Sequence, residues 1–210
     1  SDGDQTFQVF LKPAQSSDQN YHGMDPPDLT VININTDPPG ILIEPISGLR
    51  VFEKGVIDTL SITILSIPSA PVSIDFEVDI PGEVGLDPST ITFTDANWNV
   101  PQLVIVKGID DDFDDGDKAF TVITSPARSD DDEYNQYDPT DVTGLVLDND
   151  GAGFLTYPQY NLSVSENGSS VEFTVLLTSR PKSHVIIPLY SSMPSEGVLS
   201  KKWIVINEDN

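Results

Sequence analysis

Between residues 41 and 153 apolar and polar side chains alternate with a period of two, in short runs: LSITILS (60–66), VSIDFEV (72–78), STITFT (89–94), PQLVIVKG (101–108), AFTVITS (119–125) and VTGLVLD (142–148). Each run is rich in Val, Ile, Thr and Phe and is bounded by Pro, Gly, Asn or Asp, as strands with one buried face are. No segment shows the 3.6-residue period of an amphipathic helix. A further run, ILIEPISGLRVFE (41–53), reads as a first strand split at its proline. The pattern predicts an all-β antiparallel sandwich.

The chain also repeats itself. Shifted by 113 residues, segment 1–40 overlays segment 114–153 with sixteen of forty positions identical, among them Gly3/Gly116, Asp4/Asp117, Phe7/Phe120, Tyr21/Tyr134, Asp25/Asp138 and Asp37/Asp150. The same shift pairs ILIEPISGLRVFEKG (41–55) with FLTYPQYNLSVSENG (154–168), and SIPSAPVSI with SRPKSHVII. The organisation expected is the C-terminal part of one repeat (1–40), a complete repeat (41–153) and the N-terminal part of a further one (154–210). A unit of about 113 residues is too long for a solenoid turn and suits an autonomous bead. About seven strands in that length are the proportions of an immunoglobulin-like sandwich. The cysteine pair and core tryptophan of antibody domains are absent: the chain has no cysteine, and Trp98 lies in a turn while Trp203 lies in a strand. The two flanks are complementary parts of one unit, short of the segment equivalent to NWNVPQLVIVKGIDDDF, and are completed either by continuing sequence or by strand exchange between copies.

Charge narrows the partners. With 34 acidic and 10 basic side chains the formal charge is −24, which repels nucleic acid and anionic membranes and attracts cations. No run approaches 18 consecutive apolar residues and the first residues lack a basic, apolar leader, so neither a membrane span nor a signal peptide is expected in these residues. The charge is concentrated in GIDDDFDDGD (108–117), six aspartates in ten residues at the end of a strand. Two unit charges about 5 Å apart repel by roughly 3 kcal/mol at an effective dielectric near 20, so such a loop calls for compensation. Lys107 and Lys118 are the basic residues nearby in sequence, too few for the task. A hard divalent cation with oxygen ligands fits, and calcium tolerates irregular carboxylate-rich loops better than magnesium does. Zinc and copper lack their usual donors, since only His22 and His184 are present and neither adjoins an acidic run. The loop is not an EF-hand: with Asp110 as first ligand, Asp115 falls where glycine is required and Thr121 where the bidentate glutamate belongs.

IDDDFDDGDKAF together with VLDNDGAG, and the upstream VFEKG and VSENG, resembles the Calx-beta domain, known from sodium/calcium exchangers and from large tandem-repeat surface proteins. The resemblance runs over all 210 residues as partial, complete and partial repeats. It implies an immunoglobulin-like sandwich that binds Ca2+ at one end through a first-strand glutamate, the acidic loop after the fifth strand, and an acidic triplet after the last. Carried over, the ligands are Glu53, then Asp110, Asp111 and Asp115 with the Phe113 carbonyl, then Asp148 and Asp150. Three positions depart from the family pattern. Asn149 interrupts the acidic triplet, and Lys118 stands where a further acidic ligand is common. The aspartate between the third and fourth strands is missing, with Glu83 the nearest candidate.

Other features have plainer expectations. SDDDE (129–133) reads as a solvated loop, Asp25 and Asp138 as turn formers before proline, and Tyr21 and Tyr134 as packing residues. Asn161 and Asn167 fit the glycosylation acceptor pattern. No phosphate loop, nucleophile elbow or zinc-protease motif is present, so no enzymatic activity is expected. The function expected is a calcium-binding structural or adhesive repeat of a larger extracellular or cell-surface protein, with the ions stiffening the array. Its expected partners are calcium, neighbouring repeats and, if strands are exchanged, other copies of itself. The alternative is a regulatory calcium sensor attached to a transporter or signalling protein.

Overall fold

A computed structural model describes residues 3–208. Ser1 and Asp2, the latter matched to Asp115 in the sequence repeat, lie outside the described residues, as do Asp209 and Asn210. Fifteen strands and, among the described residues, no helix make up the fold. Nine strands between residues 41 and 153 form an immunoglobulin-like sandwich: β3 (Ile41–Glu44), β4 (Ser47–Phe52), β5 (Ile57–Ile64), β6 (Val72–Val78), β7 (Val84–Asp87), β8 (Thr90–Phe93), β9 (Gln102–Gly108), β10 (Lys118–Thr124) and β11 (Val142–Leu147). One sheet has the order β4-β11-β10-β6-β8 and the other β3-β5-β9-β7.

The first strand divides between the sheets. Pro45 cannot donate to a ladder, so β3 ends there against β5, and the chain crosses over to pair as β4 with β11. That last pairing is parallel, in a sandwich otherwise antiparallel, with a register shift between Thr143 and Gly144. The count of nine exceeds the seven expected because of the split and because of β7. Its sequence VGLD is short, contains Gly85 and runs into Pro88, which hides it from a periodicity reading, yet it pairs Val84 with Gly108 and Asp87 with Ile105.

Alternation along the strands delivers the core. Leu49 and Val51 of β4, Leu60, Ile62 and Ile64 of β5, Ile74 and Phe76 of β6, Val104 and Val106 of β9, and Phe120 and Val122 of β10 are all buried, with Trp98 packed against them from its turn. Each such side chain contributes about 1.5–3 kcal/mol relative to exposure. The segment 129–133 is not a solvated loop throughout. Asp131 is buried: its Oδ2 accepts from the Ser69 amide at 2.7 Å and its Oδ1 from the Glu133 amide at 3.0 Å. Those bonds outweigh the cost of burial and hold its pKa below the usual 3.8. Beside it Tyr134 is fully buried, its hydroxyl donating to the Ser66 carbonyl at 2.9 Å and accepting the Ser66 amide at 3.0 Å.

The flanks carry β1 (Gln5–Val9) with β2 (Leu29–Asn33), β12 (Phe154–Tyr157) with β13 (Thr174–Leu177), and β14 (Val185–Pro188) with β15 (Trp203–Ile206). Their registers are those of the central strands displaced by 113 residues. Phe7 faces Val31 as Phe120 faces Gly144, Phe154 faces Leu177 as Ile41 faces Ile64, and Val185 faces Ile206 as Val72 faces Phe93. Local hydrogen bonds recur with the same shift. Asp28 accepts from the Leu11 amide as Asp141 does from Thr124, and Asp4 accepts from Asn35 as Asp117 does from Asp148.

Candidate metal centre

β9 ends at Gly108 because the backbone there runs against β4. A Cβ at this position would lie 2.8 Å from the Glu53 Cα and overlap the Phe52 carbonyl. That close approach brings the loop after β9 alongside Glu53. The next amide, of Ile109, donates to the Glu83 carbonyl at 2.8 Å, which fixes a third segment to the same place. Asp111 Oδ1 then accepts from the Phe113 amide at 2.7 Å and folds the loop back on itself. Gly116 adopts φ +80 to turn the chain into β10. On the other side the Glu53 amide extends the β4–β11 ladder by donating to the Leu147 carbonyl at 3.1 Å, setting the glutamate beside the 148–150 segment.

Carboxylates from four segments meet here. Glu53, Asp148 and Asp150 each place an oxygen within 4.8 Å of the others, and so do Glu53, Glu83 and Asp115. Glu53, only 5% exposed, belongs to both groups. Burial first, and then the charges of Asp148 and Asp111, push its pKa above the usual 4.5. Asp150 is likewise raised, by burial and by Asp148, Asp112, Asp110 and Asp111 around it. Asp148 is lowered, since the amides of Asp150, Gly116 and Asp115 all donate to its carboxylate at 2.6–2.8 Å.

The two groups are compensated differently. Lys118 Nζ lies 2.6 Å from Glu83 Oε1 and 2.5 Å from Asp115 Oδ2, so one cation of the chain itself serves that side, and its own pKa is raised by both partners. Glu83 and Asp115, expected as ligands, are thus paired with a lysine. On the Glu53–Asp148–Asp150 side the Asn149 amide reaches Glu53, Asp110 and Asp150 at 3.1–3.4 Å, a neutral group offered to three carboxylates. Lys54 approaches only Asp110, at 3.3 Å and largely exposed. Negative charge therefore remains in excess around Glu53 and Asp150.

Of the other expected ligands, Asp110 and Asp111 border this group, while Phe113 makes its contact through its ring, 5.1 Å from the Arg180 guanidinium carbon. Arg180 also donates its amide to the Asp112 carbonyl at 2.6 Å, the Ala152 amide donates to Asp114 at 2.7 Å, and Lys182 stands 4.0 Å from Asp115. Arg180 and Lys182 escape a reading of the sequence, because a basic residue 68 or 67 positions from its acidic partner carries no local signal.

The donor set suits a hard cation: carboxylate oxygens from separate strands, no thiolate and no imidazole. Asp115 Oδ1 supplies an independent indication, being a buried carboxylate oxygen with no hydrogen-bond partner beside Glu53. Such an atom carries an uncompensated desolvation cost.

A search of protein-family models finds no match to the chain, and a search of curated proteins finds none either. Among solved structures it resembles the apo form of the Calx CBD1 domain, at 18% identity over 52% of this chain and 96% of that one, with a TM-score of 0.41. It resembles the calcium binding domain CBD12 of CALX1.1 at 18% identity over 80% of this chain and 70% of that one, TM-score 0.42. The periplasmic chaperone SfaE matches at 12% identity over 52% of this chain and 58% of its own length, TM-score 0.40. The likeness is distant and is one of fold.

Proposed function

We propose that the chain is a calcium-binding β-sandwich module of a tandem array in a larger extracellular or cell-surface protein, where bound calcium rigidifies the connection between units. The observation that carries this reading is the convergence of Glu53, Asp148 and Asp150 from different segments, with an excess of charge that the chain's own cations leave unmatched. Glu53, Asp148, Asp150, Asp110 and Asp111 would hold the ion, with Asp115 Oδ1 available from the lysine-paired side. Calcium would supply positive charge and a cross-link among these segments in the folded state alone.

The location of the site supports a mechanical role. The loop that borders it contacts the C-terminal flank through Arg180 on Phe113 and on the Asp112 carbonyl, and holds the end of the central unit through the Ala152 amide on Asp114. Immobilising the loop therefore immobilises the first strands of that flank. Equivalent registers at 113-residue intervals in the flanks support the reading as an array. Extracellular calcium modules work with dissociation constants of about 10⁻⁴–10⁻³ M, a range that an open, partly exposed carboxylate cluster can serve.

The test is hydrogen exchange with and without calcium. Addition of calcium is expected to slow exchange at residues 108–117, 148–153 and around Arg180, while leaving β6 and β8 unchanged. Equal exchange in both conditions would overturn the proposal, and magnesium at the same concentration is expected to protect less.

A further inference from the structure

Asn167 alone among the asparagines of the chain is followed by glycine. It sits in the turn 166–168, outside any strand, and every residue from 161 to 170 is exposed. That exposure belongs to the turn itself. At the 113-residue shift its counterpart is the turn Glu53–Lys54–Gly55 between β4 and β5, where the Lys54 side chain is 74% exposed with the C-terminal flank in place. The backbone agrees as well: Gly168 has φ +93 and Gly55 has φ +92.

We infer that Asn167 is a site of spontaneous amide loss in the folded chain, its side chain closing on the Gly168 nitrogen. That nitrogen gives up its proton to base and bonds to Asn167 Cγ, and the side-chain nitrogen leaves as ammonia, closing a five-membered succinimide. Water then opens the ring at either carbonyl, giving aspartate or isoaspartate. Nothing is oxidised or reduced, and water is the sole co-reactant. The turn favours the step. Glycine has no Cβ to crowd the attacking nitrogen. Ser165 Oγ donates to Asn167 Oδ1, the atom on which negative charge develops as Cγ is attacked, so the turn supplies its own oxyanion donor. The Gly168 amide must first release the Ser165 carbonyl, to which it donates at 3.1 Å. Opening such a bond in an exposed turn lies at the low end of local unfolding free energies.

Asn149, also exposed, supplies the contrast within the same chain. Its side-chain nitrogen is held by Glu53, Asp110 and Asp150, the next residue carries a side chain, and the Asp150 amide donates to Asp148 at 2.7 Å. The attacking nitrogen and the leaving group are both engaged there. The consequence at 167 is one of charge. Glu166 is the counterpart of Glu53, and Asn167 that of Lys54, which stands 3.3 Å from Asp110. Amide loss therefore sets a new carboxylate beside Glu166, at the position where the central unit carries a cation, and the charge of that end becomes more negative as the molecule ages. The inference rests on the chemistry of the turn and not on calcium.

The test follows the chain, produced without glycosylation so that Asn167 is unmodified at the start, through incubation at physiological temperature and mildly alkaline pH. Chelator is present throughout, so the result is read apart from the calcium site. Peptide mapping by mass spectrometry is expected to show acid accumulating at 167 as a mixture of aspartate and isoaspartate, faster as pH rises, while the peptide containing Asn149 keeps its amide. Asn167→Gln retains an amide and the glycine but requires a larger ring, and should stay unconverted over the same interval. Ser165→Ala should slow the conversion severalfold and Ser165→Thr should restore it; a rate indifferent to Ser165→Ala would overturn the role given to that hydroxyl. The urea-unfolded chain gives the reactivity of the sequence alone. A folded chain that keeps its Asn167 amide over an interval in which the unfolded chain loses it would overturn the inference.

Discussion

Replacing Lys118 with Met removes the one cation that serves both Glu83 and Asp115 while retaining most of the stem. Opposite charges 2.6 Å apart attract by on the order of 6 kcal/mol at an effective dielectric near 20. Desolvation and residual solvent access offset much of this, because the side chains of Lys118, Glu83 and Asp115 are 29%, 20% and 15% exposed. Removing one partner of a largely buried group nonetheless leaves the other charges uncompensated, and a net loss of about 3 kcal/mol results. The unfolding entropy of a unit of about 113 residues, near 2.1 cal/mol/K per residue, is about 0.24 kcal/mol/K, so the melting temperature in chelator should fall by about 12 °C. In calcium the deficit should shrink, since the variant presents one more unmatched charge to the cation. Circular dichroism melts of both chains in chelator and in calcium measure all four quantities. A variant that melts with the wild type in chelator would refute the account of how charge at this end is balanced.

Two further perturbations probe the surroundings of the site. Without calcium, Glu53 and Asp150 have pKa values raised above their unfolded ones, so stability should increase as pH falls from neutral toward those raised values. Asp148 and Asp131 are lowered, so the stability they contribute is present above about pH 4 and is lost as pH falls through their depressed values. An apo melting curve against pH should therefore peak on the mildly acidic side, and a monotonic decline from neutral pH would contradict the charge excess. Asp131→Ala should lower stability by about 2 kcal/mol by leaving the Ser69 and Glu133 amides unpaired, with no effect on calcium binding; urea denaturation and a calcium titration of the same variant check both halves.

Strand positions were legible because half-buried strands impose a period of two. β7 was not, since four residues with a glycine and a following proline leave no period to read. The acidic candidates could be named from their clustering and from family resemblance, and Glu53, Asp148 and Asp150 do bring their carboxylates together. The division of that end into a lysine-paired half and an unmatched half depends on where the Lys118 stem points, which spacing does not encode. Asp131 looked like one more solvated acid in SDDDE. Its burial comes from a tertiary contact with Ser69, sixty-two positions away, and a charged run in sequence gives no sign of which member turns inward.

The central claim is that Glu53 and Asp150 hold calcium with the carboxylates around them. Isothermal titration calorimetry of the wild-type chain against Glu53→Gln and Asp150→Asn tests it most directly. Saturable calcium binding with at least one ion per chain is expected, severely weakened in either variant and intact in Asp132→Asn, an exposed position in the same unit. An absence of calcium binding at millimolar concentration, or binding indifferent to Glu53→Gln and Asp150→Asn, would contradict the account.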